Sequence, residues 1–257
     1  KGSKFAPDPA DVAAAVELLL KAEKPLIYAG EGVIYAGASA ELKEFVELAN
    51  TPVISTLKAK GAFPEDHPLF VGVRGDQVNQ YLDECDLLFA VGSSLSPGRF
   101  SHGIPGAVNK TIVHCTIDEL HVNKTYPTAQ AVIGDAKFAL QALTAEMSAK
   151  TASNGRPAGN VAAEVKSVRD SAMVKYREAM ASTEKPINPY KVYAGLMEAL
   201  DPHKSFVTHE SGNTRDQLST VYDTLVPRAF LGWGNVSSLG FSFAATIAAK
   251  LSFPEKQ

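Results

Sequence analysis

Residues 24–57, "KPLIYAGEGVIYAGASAELKEFVELANTPVISTL", carry the reading that decides the fold. An apolar run over 24–30 ends in Gly30-Glu31-Gly32. An amphipathic helical pattern then covers 37–50, and a second apolar run over 51–57 follows a turn pair. Strands that are continuous apolar runs need cover on both faces, and strands separated by helices are parallel. The stretch therefore predicts an α/β fold with a parallel sheet and helices on both faces.

The same alternation extends outward. Toward the N-terminus, "PADVAAAVELLLKAE" sets Val12, Ala15, Val16, Leu19 and Leu20 at helical spacing with Asp11 in the first turn. Toward the C-terminus come a helix near 76–82, a strand at "LLFAVGS", a long Gly/Pro loop through "LSPGRFSHGIPGA", strands at "TIVHCTID" and "QAVIGD", and a helix at "AKFALQALTAEM". Residues 148–158, "SAKTASNGRPA", are poor in large apolar side chains and read as a linker. A charged helix over 160–181 leads to "EKPINPYKVYAGLMEALDPHKSFVTHESGN", which restarts a helix-then-strand unit. The predicted organisation is a first domain over 1–150, a linker and helix over 151–186, and an incomplete second α/β unit over 187–257.

With 257 residues, 45% of them hydrophobic, the chain can bury one large core or two smaller ones. A net charge of −3 offers no general attraction to nucleic acid or an anionic membrane, so neither is an expected partner. No apolar run reaches roughly 18 residues, and the expected location is cytoplasmic. Cys85 and Cys115 stand alone, without zinc-ligand spacing, as core thiols of a reducing compartment.

Four stretches could carry chemistry. Gly30, Gly32 and Gly37 lie at a strand-to-helix turn, where backbone N–H groups can approach a phosphate. Their GxGxxxxG spacing is equally that of tight turns. Asp118 and Asp135 end strands, where a carboxylate can accept from a ribose or cap the next helix. In "FVTHESGNTRDQ", His209, Glu210, Ser211, Gly212 and Asn213 follow a strand; His209 and Glu210, as strand neighbours, point to opposite faces and form no dyad, and Ser211 lacks a nucleophile elbow. In "GWGNVSSLGFSFAATIAAKL", Leu239 is an apolar residue in a polar loop, before a helix of small residues. His102, His114 and His121 show no metal-ligand spacing and read as ordinary surface or strand residues.

Together these stretches resemble the thiamine-diphosphate-dependent enzymes of the acetolactate synthase and pyruvate oxidase kind. Residues 10–75 look like the start of that family's central domain, and 85–100, 117–140 and 232–256 match its later segments in order. The resemblance implies a DHS-like, Rossmann-type central domain over 1–150 and the start of a diphosphate-binding domain over 187–257. It also implies that the chain is a fragment, inactive alone. The glutamate that activates the cofactor and the magnesium-binding segment have no counterpart here, the latter being expected beyond Gln257. By the same resemblance, His209, Glu210, Ser211, Gly212 and Asn213 would contact the diphosphate. Leu239 would be the wedge under a folded cofactor, with Gly234, Ser237 and Ser238 around the pyrimidine.

Gly30, Gly32, Gly72, Arg74, Gly75, Gly92, Ser93, Asp118 and Asp135 fall on family positions that contact FAD or ADP. The family's flavin binders often read Arg-Phe-Asp-Asp-Arg after the glycine matching Gly92. This chain has "SSLSPGRF" with Arg99 displaced, so the resemblance supports an ADP-type ligand or an empty site as well as FAD. The implied activity is cleavage of a 2-oxo acid or related acyl donor through an enamine on thiamine diphosphate with Mg2+, in a homodimer or homotetramer. Two other readings are a non-catalytic nucleotide-binding module and a NAD-dependent deacylase, the latter opposed by the cysteine count.

Overall fold

The computed structural model describes residues 4–98, 101–157, 159–232 and 237–257. The first unit runs α1 (Pro9–Lys21), β1 (Pro25–Ala29), α2 (Glu31–Ala36), α3 (Ser39–Ala49), β2 (Val53–Ser55), β3 (Phe70–Gly72), α4 (Asp76–Glu84), β4 (Leu87–Val91), β5 (Thr111–Thr116), β6 (Gln130–Ile133) and α5 (Ala136–Lys150). Its strands form one parallel sheet in the order β3-β2-β1-β4-β5-β6. Ile27 stands opposite Val53 on one side and Phe89 on the other.

Strand alternation splits the apolar runs between two cores. Ile27, Ala29, Phe89, Val91 and Val113 pack with residues of α1, α3 and α5. Leu26, Tyr28, Leu88, Ala90 and Ile112 face the other way, toward Val78 and Leu82 of α4. Both faces are covered, as the uninterrupted runs require.

The structure differs from the sequence expectation in three places. β3 was not anticipated, because three residues are too few for a periodic signal. The glycine turn after β1 holds a separate short helix, α2, which ends at Gly37 in the left-handed region (φ 65) before α3 begins. The first three residues of the linker continue α5, and the following turn is docked. Gly155 (φ 68) lies so close to α3 that a Cβ there would be 2.3 Å from the Leu48 carbonyl oxygen. Beside it, Arg156 N donates to that carbonyl at 3.0 Å, and the Arg156 guanidinium donates to Ala22 O at 2.7 Å. Small polar residues here serve close backbone approach rather than chain mobility.

The remainder comprises α6 (Val161–Met180), α7 (Pro189–Ala199), β7 (Val207–Thr208), α8 (Asn213–Val221), β8 (Phe230–Leu231) and α9 (Phe241–Ser252). β7 and β8 form a parallel pair, with Val207 opposite Phe230. A small core of Tyr193, Val207, Leu218, Val221, Tyr222 and Phe230 lies beneath them. A buried ion pair joins this unit to the first. Lys60 Nζ and Glu65 Oε2 are in contact at 2% and 1% side-chain exposure. Lys60 Nζ also donates to Tyr222 O at 2.6 Å, and Glu65 Oε2 accepts from Thr224 N at 2.9 Å. Among the described residues no helix is long and apolar enough to cross a membrane.

Candidate functional site

β1 and β4 are neighbours whose onward connections run to opposite edges of the sheet, so a crevice opens beyond their carboxyl ends. A cavity of about 280 Å³ lies there, its lining including Tyr28, Gly30, Lys58, Ser93, His102 and Tyr126. His102 Nε2 lies 2.8 Å from the Val73 carbonyl, which can only accept, so Nε2 carries the hydrogen. Desolvation holds the His102 pKa below the ordinary histidine value, leaving the ring neutral. Nδ1, 3.2 Å from Tyr28 Oη, then accepts the tyrosine hydrogen. Burial raises the Tyr28 pKa, which keeps that donor protonated. The sequence reading missed Tyr28, Lys58, His102 and Tyr126, since the strand and loop patterns that hold them do not reveal a shared wall.

The glycines at this edge bring backbones together. Gly30 N donates to Val91 O and Gly32 N to Gly92 O, each at 2.8 Å. A Cβ on Gly30 would stand 2.4 Å from Gly92 O. The N–H groups of Gly30 and Gly32 are thus bonded within the protein. Glu31, the first residue of α2, adds negative charge and is held by Lys58 at 2.5 Å. Both readings of these glycines, a tight turn and a phosphate approach, start from this close packing of the β1 and β4 ends.

The other predicted nucleotide contacts are dispersed. Gly72 (φ 151) and Gly75 (φ 112) sit under the Gln77 side chain, whose Nε2 donates to Arg74 O at 2.9 Å. Arg74 pairs with Asp216 of α8 at 3.2 Å, linking the two units. Asp118 accepts from Leu120 N at 3.0 Å at the head of a single 3-10 turn, and Asp135 caps α5 by accepting from Lys137 N at 3.1 Å. Gly30 and Ser93 line the cavity with Gly92 adjoining. Arg99 and Gly234 lie outside the described residues.

The second predicted site is drawn together. Ser211 Oγ and Ser237 Oγ are 2.5 Å apart, which joins the loop after β7 to the loop before α9. Ser237 sits in the left-handed region (φ 61), a conformation found at tight turns. Glu210 Oε1 accepts from Ser211 N at 2.9 Å, while Oε2 accepts from Ser242 N at 3.2 Å and Ser242 Oγ at 2.8 Å. These bonds, that from Ser211 N foremost, hold the Glu210 carboxyl below the usual glutamate range.

Among the described residues, no atom lies within 4 Å of where a Cβ on Gly212 (φ 94) would stand, and Gly212, Asn213 and Ser238 are exposed. Leu239 is, among the described residues, an apolar side chain left 85% exposed. His209 points the other way from Glu210, into the interior. It is 3% exposed, with its ring 5.4 Å from that of Phe230. Ser242 was missed by the sequence reading: within "FSFAATIAAK" it is one small residue among several.

The family model described as "Thiamine pyrophosphate enzyme, central domain" matches residues 12–143. The chain is 33% identical to the probable acetolactate synthase large subunit of Methanocaldococcus jannaschii, with 96% of this chain and 42% of that protein covered. It is 28% identical to the acetolactate synthase isozyme 3 large subunit of Escherichia coli K12, over 94% of this chain and 42% of the relative. Oxalyl-CoA decarboxylase of the same organism is 26% identical, over 96% and 43%. The chain thus spans about 42% of the length of the first of these relatives.

Proposed function

The chain belongs to the thiamine pyrophosphate enzyme family, and from that premise we propose that it forms part of a longer enzyme that cleaves a 2-oxo acid or related acyl donor beside its carbonyl. The observation that carries the reading is the approach of two loops 26 residues apart through the 2.5 Å Ser211–Ser237 contact. Beside it stand the open backbone at Gly212 and the exposed Leu239. A polar cradle beside an unburied leucine suits a cofactor with a charged diphosphate and two aromatic rings. Ser211, Gly212 and Asn213 would hold the diphosphate, Ser237 and Ser238 would border the pyrimidine, and Leu239 would pack under the rings. The cofactor supplies carbanion stabilisation, while the protein supplies conformation and exclusion of water.

Among the described residues no group of three or more His, Cys, Asp or Glu side chains could hold a metal ion, so the proposal assigns magnesium to no residue of this chain. The cavity beside β1 and β4 would take part of an FAD or ADP ligand. A cytoplasmic homodimer or homotetramer completes the proposal, in line with the solvent-facing apolar residues of α9.

The test is turnover by a protein that carries this chain together with the remaining length found in the relatives. Release of CO2 from a 2-oxo acid or an oxalyl thioester should require added thiamine diphosphate and magnesium, and Leu239→Ala should reduce it. No turnover across such donors would overturn the reading.

A further inference from the structure

The resemblance set Glu210 among the cofactor contacts, but its carboxylate is already engaged. One oxygen accepts from Ser211 N and the other from Ser242 N and Oγ. The Gly240 backbone N–H adds a weaker pull that helps to lower the Glu210 pKa. A carboxylate at the first turn of α9 faces unpaired helix N–H groups and the positive end of the helix dipole, both of which favour it. Its backbone is tied too, because Thr214 Oγ1 donates to Glu210 O at 3.0 Å. Glu210 therefore connects β7, α8 and α9 through one residue. Ser211 and Leu239 are the residues whose directions depend on this connection: Ser211 follows it in sequence, and Leu239 precedes Gly240.

We propose that Glu210 is a positioning residue, an internal anion that clamps the start of α9 to the loop after β7 and so sets Ser211 and Leu239 in place without touching the cofactor. The assignment of Ser211 and Leu239 rests on the thiamine diphosphate reading; the clamp itself does not. With its two oxygens serving three donors, the Glu210 carboxylate is engaged within the protein, and a diphosphate, as an anion, would be repelled by it.

The clamp is tested on this chain without cofactor, by following the amide signals of Ser211, Gly240 and Ser242 in two-dimensional NMR from about pH 7 to about pH 3. The three should move on one curve, with a midpoint below the ordinary glutamate value, and the curve should vanish in Glu210→Gln. His209, the neighbouring group whose titration also feels Arg215 and Asp216 of α8, should be unaltered as a separate transition. Independent movement of the three amides, or the same curve in Glu210→Gln, would overturn the clamp.

A second measurement, on a thiamine-diphosphate-dependent protein carrying this chain, separates positioning from contact. Glu210→Gln should raise the half-saturating cofactor concentration about tenfold and leave kcat at saturation within about twofold. A fall in kcat with half-saturation unchanged would instead put Glu210 at the reacting atoms. Failure of the unsubstituted protein to respond to the cofactor would defeat the thiamine diphosphate reading and leave the clamp to the NMR result.

Discussion

In the first sheet Phe89 lies fully buried in a central strand, its ring 5.5 Å from that of Phe45 of α3, and every strand residue from Leu87 to Val91 is covered on its own side. In the second, β7 and β8 contribute two residues each, and α9 carries no buried residue at all. Its Phe243, Ile247 and Leu251, four residues apart on one face, are 75%, 46% and 79% exposed. An isolated pair of short strands is marginal in water. The contrast teaches that the two units hold together by different means. The first is stabilised by burial on both faces of a sheet. The second docks on the first through Val165 of α6, buried in that unit's core, and through polar links, the Lys60–Glu65 pair to Tyr222 O and Thr224 N, and Arg74 to Asp216.

The largest expected effect comes from breaking that link. Glu65→Ala leaves the Lys60 ammonium buried without its partner, which costs about 3–5 kcal/mol. The loss should appear in urea unfolding and as early hydrogen exchange in α8 and β8. Burial pushes the Glu65 carboxyl above the usual range against the pull of Lys60, so the pair is costly to keep charged. Replacing both, Lys60→Met with Glu65→Leu, should restore much of the stability. A cost below about 1 kcal/mol for Glu65→Ala would show that the second unit stands without the first.

A direct contrast uses one residue type in two places. Phe89→Ala should cost about 3–5 kcal/mol by opening a cavity, whereas Phe243→Ala should change stability by no more than about 0.5 kcal/mol. A cost above about 2 kcal/mol for Phe243→Ala, together with a concentration-dependent unfolding midpoint, would mean that the α9 face is covered in solution.

How much of this was readable beforehand follows the same division. The parallel sheet was legible because Leu26–Ala29 and Leu88–Val91 are continuous apolar runs, and Ile112–Cys115 one broken only by His114, set among helical periods. β3 was not, being three residues after His67-Pro68. The docked turn at Gly155 was not, because its composition is that of a linker and only the Leu48 carbonyl reveals its role. At the candidate site, the chemistry of "HESGN" and "SSLG" was visible as residue types. The direction of each side chain was not, since Glu210 meets Ser242 across 32 residues and His209 turns into the interior. Glycine signals were ambiguous for a physical reason: close approach to a phosphate and close approach to another backbone require the same absence of a Cβ.

A smaller effect discriminates between roles for the strand-end carboxylates. Asp135→Ala removes the cap of the fifteen-residue α5 and should cost about 1 kcal/mol. Asp118→Ala loses only a cap on one 3-10 turn and should cost less than about 0.5 kcal/mol. Both should fall by similar amounts only if the two carboxylates share a duty beyond capping.

The finest test uses acid. Desolvation is the foremost cause lowering the pKa of His102, His114 and His209, the first two at the edge of the large sheet and the third beneath β8. In the unfolded chain these rings titrate near pH 6.5. Between the folded and unfolded values the unfolded state binds more protons, so stability rises with pH in that interval. The contribution is complete above about pH 6.5 and is lost as pH falls through the lowered folded values. The urea midpoint should therefore drop on acidification from about pH 7.5 to about pH 5, and His102→Gln or His209→Gln should each flatten the drop. If the second unit opens first, His209→Gln flattens only the exchange of α8 and β8, and His102→Gln only that of the first sheet. If each substitution flattens both regions equally, the polar links have joined the two units into one cooperative structure, and the contrast between them is one of construction rather than of stability.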